Sequence, residues 1–247
     1  MNPFDVWIVS FLNSFACRSR AFDTFMAEVP ENSFIKGGVF TALLWWVWFQ
    51  TDDKEDERRE FVLYGVVACF LAIVTARTLA LTLPFRSRPL HNRALHFHIP
   101  YGIDENALVD WSSFPSDHAV LFFTLATIIF LVSRRLGIVA FLYVFFVVCF
   151  TRVYLGYHYP TDILAGALLG IGIASLSKVT ALRKMIAQPG VRWVRSPSSL
   201  LLCKLFSRNV ADLLNVRSST AYCPCRLRGS EGRVAALTRL RRVRIPV

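Results

Sequence analysis

Apolar residues in this chain come in runs of 14–23, near the ~20 that carry a helix across a hydrocarbon core of about 30 Å. Five runs stand out: Phe34–Phe49, Phe61–Leu83, Ala119–Val132, Leu136–Phe150 and Ile163–Leu176. A bilayer has no water to satisfy backbone N–H and C=O groups, so each run has to be a helix. The predicted fold class is therefore all-α, a polytopic membrane helix bundle of five spans. A hydrophobic fraction of 54% and a mean hydropathy of +0.45 are high for a soluble domain.

The flanks differ from this core in kind. Residues 1–33 hold Phe4, Val6, Trp7, Ile8, Phe11, Leu12 and Phe15 at helical spacing, with Asn2, Asp5 and Asn13 between them. That pattern is too short and too polar for a span and predicts a helix lying in the membrane interface. Asp5 and the lack of a basic start argue against a cleaved signal peptide. Residues 34–177 form the predicted membrane core, and residues 178–247 a basic tail. The tail carries 15 Lys/Arg against Asp212 and Glu231, so it is +13 of the total +11, and the rest of the chain is −2. Beside a membrane domain such a tail marks the cytosolic side rather than a nucleic-acid partner. Within it, 199–217 reads as an amphipathic helix on an anionic leaflet, and 218–247 as disordered.

Counting Lys and Arg gives an orientation. The Thr51–Glu60 loop, the Ser133-Arg134-Arg135 turn and the tail share one side and hold 20 of the 28 positive residues. Positive residues stay inside, so the tail is expected in the cytosol and the long loop, Pro84–Ser113, outside. The six cysteines form no disulfide framework, since Cys69 and Cys149 fall inside apolar runs. Cys223-Pro224-Cys225 lacks the second pair a zinc site needs. Gly166 and Gly170, four apart in the last run, suit close helix packing.

Three polar blocks interrupt this apolar plan. Spans Ala119–Val132 and Leu136–Phe150, joined by a tight basic turn, return the chain to the side it left. Pro115-Ser116-Asp117-His118 and the block from Arg152 to Asp162 therefore meet at one membrane face. Proline followed by an apolar helix marks a first turn. Free N–H groups there, with the Ser116 hydroxyl, make an anion site, and His118 can supply a proton. The same tetrapeptide also reads as a capped span with an interfacial histidine. His158 and Asp162 lie four residues apart across a turn at Gly156 and Pro160, where a carboxylate can fix an imidazole tautomer and leave the other nitrogen to attack. Ionisable groups at membrane level are expensive and usually functional. The third block, Pro84 to Pro89, offers Arg88, whose guanidinium matches phosphate oxygens with parallel hydrogen bonds. Arg77, inside the second span, either snorkels to the surface or lines the same pocket. His91, His96 and His98 have no interleaved acidic cluster and read as loop residues.

These blocks resemble the type 2 phosphatidic acid phosphatase superfamily, whose pattern is Lys-x6-Arg-Pro, then Pro-Ser-Gly-His, then Ser-Arg-x5-His-x3-Asp. Arg88-Pro89 matches the end of the first motif, Pro115 to His118 the second, and Thr151-Arg152 with His158 and Asp162 the third. Leu81 stands where the family has lysine, Asp117 where it has glycine, and Thr151 where it has serine. Pro-Ser-Asp-His looks like the undecaprenyl-diphosphate phosphatases of the bacitracin-resistance type. The resemblance implies a bacterial plasma-membrane phosphatase acting on a lipid phosphate, with no metal or other cofactor. His158 would attack phosphorus, oriented by Asp162, and His118 would protonate the leaving group. Arg88, Arg152 and Ser116 would hold the oxygens, with Arg77 in place of the absent lysine and Asp117 orienting a neighbour. A phosphatase for phosphatidic acid or phosphatidylglycerol phosphate, or a non-catalytic relative, fits the same motifs.

Overall fold

The computed structural model of this chain describes residues 2–50 and 54–194. The tail readings for 199–217, 218–247 and Cys223-Pro224-Cys225 lie outside the described residues. Residues Met1–Pro189 form one compact unit, and the architecture below is that unit's. Every regular element among the described residues is helical.

The first 31 residues fold as two helices rather than one. Helix α1 is Pro3–Asn13, capped by the Asn2 side chain, and α2 is Arg20–Glu31, capped by Ser19. Between them Cys17 takes a positive φ of 63°, which breaks the helical path. Helix α1 is amphipathic in an inverted sense. Asp5, Val9 and Asn13, four apart, are buried against the protein, while Phe4, Trp7, Phe11 and Phe15 face outward. Trp7 is 69% exposed and stacks on Phe11 at 6.0 Å between centroids.

Three helical segments are long and apolar enough to cross a membrane. The first is α4, Glu55–Thr82. The second, Arg134–Tyr154, comprises α6 (Arg134–Tyr143), a π turn at Val144–Cys149, and α7 (Phe150–Tyr154). The third, Pro160–Lys178, contains α8 (Pro160–Ser175). Two further apolar segments are shorter: Phe34–Phe49, which holds α3 (Val39–Phe49), and α5, Asp117–Val132. At about 1.5 Å per residue, the 16 residues of α5 reach roughly 24 Å, short of the ~30 Å hydrocarbon layer. Large apolar side chains face outward along α4 (Val66, Phe70, Val74), α6 (Ile138, Val139, Leu142) and α8 (Leu164, Leu168). An apolar exterior of this kind suits lipid rather than water.

Helix α4 starts six residues before its apolar run. Hydropathy places Glu55–Glu60 in a loop, but acidic residues in a first turn are favoured by the helix dipole. Arg183 of α9 (Thr180–Val194) donates to Glu57 at 3.3 Å and Glu60 at 3.4 Å, and its guanidinium lies over the Phe61 ring. The beginning of the basic tail and the N-terminus of α4 therefore lie at the same end of the bundle. At the other end, Arg77 meets Asp117 at the start of α5.

The packing that matters most is α5 against α8, which run parallel. A β-carbon on Gly166 would lie 2.9 Å from the Ala119 β-carbon and from the Ser116 carbonyl oxygen. One on Gly170 would collide with the Val120 carbonyl oxygen and sit 3.0 Å from Thr124 Oγ1. Only glycine lets the two backbones approach this closely. Thr124 Oγ1 donates to the Val120 carbonyl at 2.7 Å and reaches the Gly170 carbonyl at 3.3 Å.

The long loop after α4 is built rather than loose. It contains 3-10 turns at Pro89–His91 and Arg93–Leu95. Asn13 of α1 pairs with the His98 backbone through both its amide nitrogen (2.6 Å) and its oxygen (2.8 Å). Asp23 of α2 accepts the Tyr101 N–H and the Tyr154 hydroxyl. Leu90 N–H bonds the Gly156 carbonyl at 3.0 Å, and Ser113 N–H the Arg86 carbonyl at 2.9 Å.

Gly170→Leu should lower the stability of the detergent-solubilised protein by about 1–3 kcal/mol through overpacking. Gly172→Leu, on the same helix with open space around it, should leave the thermal midpoint within about a degree or two of wild type. A thermal unfolding series on both variants checks this.

Candidate active site

Ser116 caps α5, its hydroxyl oxygen facing the Ala119 N–H at 3.5 Å, while its own N–H reaches the Asp162 carbonyl at 3.3 Å. That bond ties the start of α5 to the start of α8. The hydroxyl proton of Ser116 stays available for another acceptor. His118, one turn in, is half-buried with its ring beside Phe122.

His158 sits in the turn between α7 and α8, almost wholly buried. Its Nδ1 lies 2.8 Å from the Ser113 carbonyl and 3.9 Å from Asp162 Oδ2. A carbonyl only accepts, so Nδ1 carries the proton and Nε2 keeps its lone pair. The sequence reading expects Asp162 to orient this ring directly. Instead the Ser113 carbonyl is the nearer partner, because the carboxylate is held elsewhere. Asp162 Oδ2 accepts the Tyr159 N–H at 2.8 Å, and Oδ1 accepts from Arg86.

Nε2 of His158 points at a guanidinium. Arg88 Nη1 lies 3.5 Å from it and donates to the Tyr157 carbonyl at 2.6 Å. Arg88 Nε and Nη2 reach the Trp111 and Ser112 carbonyls at 3.1 and 3.4 Å. Only backbone carbonyls and the imidazole hold Arg88, which is 6% exposed and makes no salt bridge to a described residue. Arg152 is equally buried at 6%, and its charge acts on both Arg88 and His158. Two guanidiniums of like sign sharing one buried place are costly unless an anion joins them. Burial, and after it Arg88 and Arg152, hold the His158 imidazole well below its ordinary pKa, against the opposing Ser113 hydrogen bond. The ring is therefore neutral near pH 7. Burial also lowers Arg88 from its ordinary value.

Arg77 and Asp117 form a pair at 2.7 Å, with the Arg77 guanidinium 4.1 Å from the centroid of the Trp111 ring. Leu81, where the motif pattern has lysine, points away at 86% exposed. Asp117, which stands where the pattern has glycine, is thus the partner of Arg77, one turn before the position where the pattern has lysine. Asp117 also lies near enough to Arg88 for their charges to interact. His91 bonds the Ala107 carbonyl and takes no part in this cluster. Among the described residues no group of three His, Cys, Asp or Glu side chains is placed to hold a metal ion.

The motifs did not point to Arg86, Asp5, Ser113 or Thr161. Arg86 bridges Asp162 and Asp5, and Asp5 also accepts from Thr161. A carboxylate on the inner face of an otherwise apolar segment was the available signal for Asp5. Nothing local distinguishes Ser113, which acts through its backbone.

Taken together, an unprotonated imidazole nitrogen faces the buried guanidinium of Arg88, with Arg152 and a second histidine near enough for their charges to act on the ring, and the start of α5 tied to that of α8. Such a set can bind a tetrahedral oxyanion and attack its central atom. Comparison with known proteins bears on this directly. Residues 85–185 match the PAP2 superfamily. That match spans 101 of the chain's 247 residues. Of the eight motif-derived residues, all but Arg77 fall inside the PAP2 segment.

Three curated proteins are similar to the chain. The "Bacitracin transport permease protein BcrC" of Bacillus licheniformis is 32% identical over 48% of this chain and 54% of its own length. The "Putative undecaprenyl-diphosphatase YbjG" of Escherichia coli (strain K12) is 34% identical over 53% and 59%. The "Undecaprenyl-diphosphatase BcrC" of Bacillus subtilis (strain 168) is 24% identical over 62% and 72%. The chain thus spans a little over half the length of the first two.

The lowered basicity of His158 has a consequence for stability. Unfolding returns the ring to its ordinary pKa of about 6.5, so protons bind the unfolded chain first. The stability this residue contributes is full above about pH 6.5 and is lost as pH falls toward the lowered folded value, by up to ~1.4 kcal/mol per pH unit. Denaturation of wild type and His158→Asn between about pH 7.5 and 5 should give a shallower decline in the variant.

Proposed function

We propose that this chain is an integral membrane lipid phosphatase that converts a polyprenyl diphosphate to the monophosphate and phosphate through a phosphohistidine on His158. The observation that carries this reading is the placement of His158. Its Nδ1 proton is committed to the Ser113 carbonyl, and its free Nε2 lies 3.5 Å from the buried Arg88. The match of residues 85–185 to the PAP2 superfamily and the undecaprenyl-diphosphatase names of two relatives support the reaction class and the substrate.

In this reading the terminal phosphate sits between Arg88, Arg152 and the start of α5, where Ser116 adds a hydroxyl donor. Nε2 attacks phosphorus, and the bond from phosphorus to the bridging oxygen breaks. His118, protonated beside the bound phosphate, gives that oxygen its proton, and the lipid leaves as the monophosphate. The phosphorylated ring is cationic, and Asp162 and the Ser113 carbonyl face its Nδ1–H. His118, now neutral, takes a proton from water. The resulting hydroxide attacks phosphorus, the P–N bond breaks, and phosphate departs with His158 neutral again. Positioning and charge stabilisation dominate such transfers. The guanidiniums fill the role a metal ion has elsewhere, so no metal is required. The Arg77–Asp117 pair borders the same place and contacts the rest of the headgroup.

The remaining assignments follow the same reading. Residues 34–177 are the phosphatase core, with Phe34–Phe49 and α5 completing five spans. Residues 1–33 lie in the interface on their aromatic face. The basic tail lies in the cytosol of a bacterium, and the histidines face outward across the plasma membrane. The hydrocarbon chain of the substrate enters from the bilayer while its headgroup meets His158.

Purified protein in detergent with chelator present should release phosphate from a polyprenyl diphosphate at least tenfold faster than from phosphatidic acid or phosphatidylglycerol phosphate. His158→Ala should lower release by ~10³-fold or more, as for other covalent nucleophiles. Acid-labile, base-stable labelled protein should accumulate with His118→Ala and not with His158→Ala. Equal release by wild type and His158→Ala ends the enzyme reading, and faster turnover of phosphatidic acid reassigns the substrate.

A further inference from the structure

Asp5 lies on the first helix, far along the chain from every motif, yet its side chain is fully buried at 0% exposure. Its Oδ1 accepts the Thr161 N–H at 3.0 Å. Its Oδ2 accepts the Thr161 hydroxyl at 2.6 Å and Arg86 Nη2 at 2.7 Å. The other arm of Arg86 donates to Asp162 Oδ1 and to Thr161 Oγ1, and the guanidinium lies 4.3 Å from the centroid of the Tyr159 ring. One arginine thus joins two buried carboxylates, and Asp162 keeps its second oxygen 3.9 Å from His158 Nδ1.

Charge arithmetic gives this arrangement a purpose. Arg86 and Asp162 alone would form a neutral pair with no surplus charge to offer the ring. With Asp5 added, two carboxylates and one guanidinium leave a net −1 on the Nδ1 side of His158. Arg88 puts +1 on the Nε2 side, and the charge of Arg152 also acts on the ring. An imidazole gains positive charge when Nε2 bonds to phosphorus, and a surplus anion behind it favours that change. A buried carboxylate kept only for packing would be a poor choice, because an apolar residue would avoid the desolvation cost.

We propose that Asp5 is a positioning residue of the active centre. By neutralising Arg86 it leaves the charge of Asp162 to act on His158, and it fixes Asp162 in place through Arg86 and Thr161. The first helix is then part of the catalytic apparatus and not an anchor alone. This rests on the reading of His158 as the nucleophile.

The test uses the full chain in detergent, with a polyprenyl diphosphate as substrate. Asp5→Asn keeps the shape and, through its oxygen, the Thr161 N–H contact, but removes the charge and the oxygen that accepts from Arg86. It should lower kcat at least tenfold with KM within twofold of wild type. Adding Arg86→Gln to Asp5→Asn returns the net charge behind the ring to −1 and should raise kcat at least threefold over the single variant. A residue that only braces the fold would make the double variant worse. Wild-type kcat in Asp5→Asn, or a double variant slower than the single, overturns the proposal and leaves the phosphatase reading intact. Where Asp5→Asn does not fold, as judged by gel filtration and thermal unfolding, Arg86→Gln alone decides. It leaves −2 behind the ring, so the acid limb of kcat/KM must move to higher pH, and an unmoved limb overturns the proposal. A wild-type protein that releases no phosphate from any lipid phosphate ends both readings together.

Discussion

The close approach of α5 and α8 is what the rest of the molecule depends on. Gly166 and Gly170 leave no room for even a methyl group against Ser116, Ala119 and Val120. Parallel helices at that distance bring their N-termini level, and the N–H of Ser116 meets the carbonyl of Asp162. Two segments separated by more than forty residues thereby share one end of the bundle. Any side chain at residue 170 would part the helix starts and separate Ser116 and His118 from His158 and Asp162.

Around that junction the electrostatics are arranged by side. Arg88 lies toward Nε2 of His158, and Asp162, Arg86 and Asp5 behind Nδ1, while the charge of Arg152 also acts on the ring. Placing two guanidiniums in a buried site is expensive. Arg88 is offset by the carbonyls of Trp111, Ser112 and Tyr157, which turn inward to meet it. Two of those carbonyls belong to the long loop, so that loop forms a wall of the site. Asn13 and Asp23 on the first two helices hold the loop down. The N-terminal segment therefore supports the site twice, through the loop and through Asp5.

How much was legible beforehand depended on whether a residue acts through its own type and spacing. His118, Arg152, His158 and Asp162 stood out because ionisable residues beside apolar runs have few structural uses. The hairpin of two spans then placed them at one face, and Arg88 followed from the match of Arg88-Pro89 to the motif pattern. Residues that act by geometry were not legible. Ser113 contributes a carbonyl that any residue could supply, and only the path of the loop aims it at Nδ1. Arg86, two positions before Arg88, matches no motif position, and only its direction in the structure shows that it bridges Asp5 and Asp162. Helix α4 was read too short because hydropathy marks the apolar run and not the helix, whose charged first turn is satisfied by Arg183.

By itself the sequence determined the class of fold and the chemistry within reach. Long apolar runs leave the backbone no option but helix in a bilayer, and two histidines with buried arginines leave few targets other than an oxyanion. Tertiary structure alone decided which partner each charge takes. Asp162 turns to Arg86 and Tyr159 before His158, Arg77 turns to Asp117, and Asp5 crosses from the first helix to the last motif. Composition and spacing report which charges are present. A hydrogen bond acts over about 3 Å, and only the packing of helices distant along the chain determines which groups come within that range.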